Sequence, residues 1–315
     1  MTTFSDGLYQ YGGSPVGGAR FTSPWATHWF VDGTNGSAGN SGRKPDHAFS
    51  TIQAAVTAAS AGDVIYINPL TYKLGTGFNR YSEDVSVTLG GSGGSGVVAT
   101  NANISIIGVT QRGAPSDFLG VRWNKTTATP LTVDAPCLHV ENIGFFTEAA
   151  TYAINLRCNG ATRTQEGTTG FSIYNCAIKG DGEIYMNGGN EVQIINCRFQ
   201  TKYDGTVGGI NLVGSNNQNL RTRIQGCDFI GGNANNMSDA PIIGAAPCYD
   251  LLIRDCYFNA ETDTGIYINI SGTNTGMVAN CFFGSADIST SSLVASGVLG
   301  VACYDDDGVQ AAPIA

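Results

Sequence analysis

The chain has 315 residues, a formal net charge of −9, 13% charged residues and 43 glycines. The acidic balance disfavours direct binding to a nucleic-acid backbone, and sparse charge with abundant glycine argues against a helical or a disordered chain. No run approaches the roughly 18 apolar residues of a membrane-crossing helix.

Residues 1–30 are glycine-rich yet hold Leu8, Tyr9, Tyr11, Trp25 and Trp29. Flexible linkers seldom carry so many aromatics, so this segment reads as an anchoring arm that orders against a partner surface, or equally against the chain's own first coil. The opening Met1-Thr2-Thr3-Phe4-Ser5-Asp6-Gly7 lacks the basic and apolar regions of a signal peptide, and synthesis in a cytoplasm is expected.

Residues 31–63 form an entry segment and a capping helix. Ser50-Thr51-Ile52-Gln53 has the form of a capping box, and Ile52, Ala55, Val56 and Ala59 follow at helical spacing until Gly62. That single apolar stripe is expected to plug the first coil, whose first buried strand is Val64-Ile65-Tyr66-Ile67. The run from Gly90 to Gly96 lacks the Gly-Lys-Ser/Thr ending of a phosphate loop and reads as a flexible connection.

A six-residue phrase then recurs: Ile173-Tyr174-Asn175-Cys176-Ala177-Ile178 is followed by versions centred on Asn196, Gly226, Asp255 and Asn280, and preceded by one centred on Asn142 that has Ile143 in place of cysteine. Its third position holds only Asn, Gly or Asp, the types that tolerate a left-handed backbone. Each phrase is therefore two short strands joined by a one-residue corner. Further apolar segments such as Ile184-Tyr185-Met186 and Ile210-Asn211-Leu212 supply a third strand, and the variable spacing fits a solenoid coil. The expected fold is all-β, a right-handed single-stranded parallel β-helix over residues 64–283, closed by residues 284–315. Five of the nine cysteines share one inward position, which favours small buried thiols over a disulfide framework. No Cys-x-x-Cys pair exists, and no metal or other cofactor is expected.

Val31-Asp32-Gly33-Thr34-Asn35-Gly36, then Phe49-Ser50-Thr51-Ile52-Gln53-Ala54-Ala55-Val56, then Ala61-Gly62-Asp63-Val64-Ile65-Tyr66-Ile67 resembles the opening of pectin-lyase-like β-helix proteins. The resemblance implies the fold, and it admits polysaccharide lyases, hydrolases, adhesins, phage tailspikes and phage capsid decoration proteins. Without an export signal or room for large terminal modules, the phage branch is favoured. The expectation is a non-enzymatic virion subunit, a homotrimer cementing the major capsid protein on the outer capsid surface. A polysaccharide-degrading or carbohydrate-binding protein, with host surface polysaccharide as its partner, is the alternative.

Candidate contacts are the arm residues together with the outward Tyr174, Ile195, Tyr257 and Phe282, among which Arg198, Asp228 and Arg254 are interleaved. Acidic residues recur after the corners at Glu148, Asp181, Glu183, Asp204, Glu261, Asp263 and Asp287, and turn chemistry accounts for them as readily as a catalytic groove does. His28, His47 and His139 are scattered, His139 reading as an exposed strand position, and Asp305-Asp306-Asp307 as a solvated turn.

Overall fold

The computed structural model describes residues 10–11, 14–15, 26–70, 80–88, 103–109, 120–125, 128–147, 152–157, 168–201, 209–213, 219–230, 240–245, 247–259, 267–284 and 293–305. Within them the chain is a parallel β-helix with three long faces. Sheet I has ten strands, from His28–Val31 through Val64–Ile67, His139–Glu141 and Ser172–Tyr174 to Val298–Val301. Sheets II and III have eight each, from Val121–Lys125 to Tyr304–Asp305 and from Val85–Thr88 to Leu293–Ala295. Every pairing within these three sheets is parallel, and a short fourth ladder joins Gly189–Asn190, Asn219–Leu220 and Cys248–Tyr249. At about 4.8 Å per strand, the ten strands of sheet I make a rod roughly 45 Å long.

The recurring phrase is the junction between sheets I and II. Asn142, Asn175, Asn196, Asp255 and Asn280 have φ between 49° and 59°, and Gly226 has 61°. The left-handed corner is thus observed at every copy, and Asn175 Nδ2 donates to Asn142 Oδ1 at 2.5 Å, linking consecutive coils. A further copy, invisible in the sequence, follows: Ala302 takes φ 50° before the buried Cys303, and Asp305 stands where earlier coils place an aromatic. Strands therefore begin before residue 64 and continue past 283.

Inside the rod like stacks on like. Phe199, Phe229, Phe258 and Phe283 lie ring over ring with centroids 4.7, 4.7 and 4.9 Å apart and interplanar angles of 8°, 4° and 9°. Cys176, Cys197, Cys227, Cys256, Cys281 and Cys303 form the neighbouring row, all buried free thiols. Each donates to the carbonyl two residues before it, as Cys227 Sγ does to Gln225 O at 3.4 Å, and most reach a carbonyl one coil back. The row consists of small inward groups with a weak donor, as its spacing implied.

The lid is the helix Ile52–Ala58, with Ile52, Ala55, Val56 and Ala59 buried in the core. Its cap differs from the expected box. The N-cap is Thr51, whose Oγ1 accepts from Ala54 N, and Gln53 Nε2 donates to Thr57 Oγ1. The amides of Ile52 and Gln53 instead donate to the two oxygens of Glu83, both at 3.0 Å. A carboxylate beyond the first strands supplies what a local side chain was expected to give, and its charge suits the positive end of the helix. The helix ends at Ala58, and Gly62 (φ 88°) turns the chain afterwards.

The entry motif is likewise structural. Asp32 Oδ1 accepts from the amides of Thr34 and Asn35, and Oδ2 from the side chains of Asn35 and Asn68. Burial alone would raise this carboxyl, but the four hydrogen bonds bring it below its ordinary range. Gly36 is required here, because a Cβ would collide with both the Asp32 and Phe49 carbonyl oxygens. No described helix is long and apolar enough to cross a membrane.

Candidate functional site

Among the described residues a grouping of polar and aromatic side chains lies on the outside of sheet III. Between sheets II and III the chain turns through Gly180, Asp181 and Gly182. A Cβ at Gly180 would collide with Thr147 O, and one at Gly182 would fall 2.7 Å from Ala153 N, so this turn hugs the coil before it. The close approach seats Glu183 directly opposite Tyr152, and a register shift between Tyr152 and Ile154 then sets Tyr185 opposite Asn155. Strand alternation sends Ile184 and Met186 into the core and turns Glu183, Tyr185 and Asn187 outward.

The Tyr152 and Tyr185 rings are 4.3 Å apart at 39°, forming one aromatic platform. Glu183 beside them is 2% exposed, and its Oε1 accepts from Asn211 Nδ2 of the next coil at 2.9 Å. Burial raises the Tyr152 phenol above its usual value, and the neighbouring Tyr185 and Glu183 push it further, so it stays a neutral hydrogen-bonding group. The outer row runs Asn155, Tyr185, Asn211, Ile243, Asn269 along the rod. Asn155 Oδ1 is buried and has no hydrogen-bond partner among the described residues. The face thus offers a pair of packed tyrosine rings, amides and a sequestered carboxylate within two coils. Such a surface can stack on the C–H face of a sugar ring while hydrogen-bonding its hydroxyls, and a carboxylate so placed can exchange a proton.

The other anticipated residues are dispersed. Leu8, Tyr9 and Trp25 lie outside the described residues, and Tyr11 belongs to the short strand Gln10–Tyr11 paired antiparallel with Ser14–Pro15. Trp29 is built into the lid: its Nε1 donates to Asp63 Oδ2 at 2.9 Å, its ring stacks on Phe49, and the Arg43 guanidinium sits 4.5 Å above it. Tyr174, Ile195, Tyr257 and Phe282 do point outward, but they do not form one strip. Tyr174 and Ile195 precede the corner and pair on sheet I, whereas Tyr257 and Phe282 follow it and stack at 5.2 Å on sheet II. Arg254 is likewise separated from the Arg198 and Asp228 pair, and its Nη2 donates to Gln225 Oε1.

Of the acidic series, Asp181 and Glu183 belong to the grouping just described, while Glu148, Asp204, Glu261, Asp263 and Asp287 lie outside the described residues, as does the run from Gly90 to Gly96. The sequence marked Glu183 but not its aromatic neighbours, because Tyr152 and Tyr185 come from different coils. Asp305 is 2% exposed, a buried end of the phenylalanine row and no solvated turn. His139, expected to be exposed, is 3% exposed: it points outward from sheet I but is covered there. Among the described residues no group of three His, Cys, Asp or Glu side chains is arranged to hold a metal.

No family model matches the chain, and no curated protein matches it in sequence. Solved structures do match in shape. A rhamnogalacturonan lyase superposes with a TM-score of 0.50 at 14% identity, over 89% of this chain and 74% of the lyase. The pectin methylesterase of Aspergillus niger in deglycosylated form gives 0.49 at 14%, over 90% of this chain and 86% of that one. A pectin methylesterase in complex with a hexasaccharide gives 0.45 at 12%, over 92% of both chains. At these identities the likeness is one of fold, and it places the chain in the pectin-lyase-like parallel β-helix architecture. It also corrects the expectation of a non-enzymatic chain: the neighbour at 0.50 is by name a lyase, so the fold gives no ground for setting catalysis aside. The phage branch of the resemblance, with its capsid seat and trimer, gains no support from these likenesses.

Proposed function

We propose that the chain binds a polysaccharide across the outer face of sheet III and cleaves it there. The observation that carries this reading is the Tyr152 and Tyr185 platform, 4.3 Å between rings, set directly beside the buried carboxylate of Glu183. A pyranose ring laid on the two tyrosines would bury its C–H face, and its hydroxyls would meet Asn155, Asn211 and Asn187 along the rod. Glu183, held by Asn211, is then the group placed to take or return a proton at the sugar. The parallel ladder repeats outward positions about every 4.8 Å, which suits an extended chain better than a single small ligand.

The test is a panel of acidic and neutral polysaccharides offered to the purified protein, with retention in affinity electrophoresis read for binding, and new reducing ends or unsaturated products read for cleavage. Tyr185→Ala is expected to lose retention, and Glu183→Gln to keep retention while losing product formation. A protein retained by none of the panel, or one whose cleavage survives Glu183→Gln unchanged, would refute the proposal.

A further inference from the structure

On the outer face of sheet I, away from that platform, three side chains from two adjacent coils are hydrogen-bonded in line. His139 Nδ1 lies 2.9 Å from Ser172 Oγ, and His139 Nε2 lies 3.2 Å from Glu141 Oε2. Register produces the line: Ser172 is the cross-strand partner of His139, and Glu141 stands two residues beyond His139 on the same face. An ionised carboxylate only accepts, so Nε2 carries the ring proton toward Glu141 and Nδ1 is left to accept from the Ser172 hydroxyl. The histidine is 3% and the serine 8% exposed, so the relay is shielded, and the Glu141 side chain, 27% exposed, marks its open edge.

Gln193, the partner of Ser172 on the following coil, accepts from the Tyr174 hydroxyl at its Oε1, 2.9 Å away, and so fixes that tyrosine beside the relay. The Tyr174 ring also lies 5.3 Å from the His139 ring, closing that side of the imidazole. Nucleophile, base and orienting carboxylate in one hydrogen-bonded line are the parts that acyl transfer requires.

We propose that Ser172, His139 and Glu141 form a hydrolytic relay for small acyl esters, independent of the polysaccharide site. Ser172 Oγ would bond to the ester carbonyl carbon as its proton passes to His139 Nδ1 and negative charge develops on the carbonyl oxygen. The carbon–alkoxide bond then breaks, and the proton on Nδ1 goes to the departing alcohol. Water, deprotonated by the same nitrogen, attacks the acyl-serine, releasing the carboxylic acid and returning the proton to Ser172. Glu141 is a positioning residue that holds the imidazole in the required tautomer.

The experiment treats the full chain with a small fluorophosphonate and maps the adduct by peptide mass, alongside hydrolysis of p-nitrophenyl acetate. Stoichiometric labelling at Ser172, abolished in Ser172→Ala and slowed at least tenfold in Glu141→Gln, is the expected result. Labelling needs no variant, so a Ser172→Ala chain that failed to fold would leave the wild-type result standing. Absence of an adduct on Ser172, or equal acetate release by wild type and a folded Ser172→Ala, overturns the proposal. Neither outcome touches the polysaccharide reading, whose residues lie on sheet III.

Discussion

Replacing Phe229 by alanine addresses the core of the rod. The ring is fully buried and is flanked on opposite faces by Phe199 and Phe258, each with its centroid 4.7 Å away and its plane nearly parallel. Deleting a buried phenyl group costs about 3–5 kcal/mol through lost transfer energy and the cavity left behind. Two stacked neighbours, each contributing about 0.5–1.5 kcal/mol beyond burial, place Phe229 at the upper end of that range. In a solenoid each coil touches only the next, so the loss falls on the two interfaces around residue 229. Urea denaturation followed by far-ultraviolet circular dichroism should show a fall of about 4–5 kcal/mol, or a split transition in which the flanks melt separately. Phe229→Leu, which keeps most of the volume, should cost under about 1.5 kcal/mol. A loss below about 2 kcal/mol for the alanine variant with a single sharp transition would show that the stack is not a principal stabiliser and would refute the reasoning.

The corner row makes a second prediction. Gly226→Asn should cost under about 1 kcal/mol, because Asn tolerates the φ of 61° found there, although the added Cβ obliges the Asn196 carboxamide on the preceding coil to swing aside. Gly226→Val should instead lower stability by about 1–3 kcal/mol in thermal melts. Glu83→Ala removes the acceptor of two lid amides. It should cost about 1–2 kcal/mol, read as raised hydrogen exchange at Ile52 and Gln53 before any other helix amide. The buried thiols predict alkaline sensitivity. Burial pushes Cys176 and Cys248 up to about 12, and the Cys256 thiol beside Cys281, together with burial, does the same for Cys281, against an ordinary value near 9. The unfolded chain releases these protons first, so their contribution is whole below about pH 9 and declines as pH climbs toward 12, by about 1.4 kcal/mol per unit for each thiol. Urea midpoints at pH 8 and pH 10.5 check this, and replacing Cys176 and Cys248 by alanine should flatten the slope.

Much of the architecture is written in the chain because the corner has a strict chemical demand. A left-handed residue before a small inward side chain restricts the third position to Asn, Gly or Asp, and six copies make the row plain. The copy at Ala302 escapes notice because Ala does not advertise a left-handed φ and Asp305 replaces the terminal aromatic. The cap at Glu83 escapes because nothing local links residues 31 positions apart. Functional groupings are harder still. Tyr152 and Tyr185 are neighbours only through coil register, and Tyr174 and Tyr257, alike in the sequence phrase, fall on different sheets because they flank the corner. His139 does occupy an outward position, yet outward does not mean wet: the start of sheet I carries a second buried layer, including Phe30, Val64, Tyr66 and Ile107, on its outer side. Alternation gives the face of a strand and not what lies over it.

The Glu83 cap bears on how the rod is built. The lid's N-terminal amides are satisfied by a residue that follows the helix in the chain, and Trp123 Nε1 in turn donates to the Glu83 carbonyl at 2.9 Å. A chain emerging from the ribosome would present its lid before the latch that holds it, and the latch before the indole that steadies it. Closure of this end is therefore a product of the coils stacking beneath it, so that a lid made early in synthesis is sealed only after the coils that follow it have assembled.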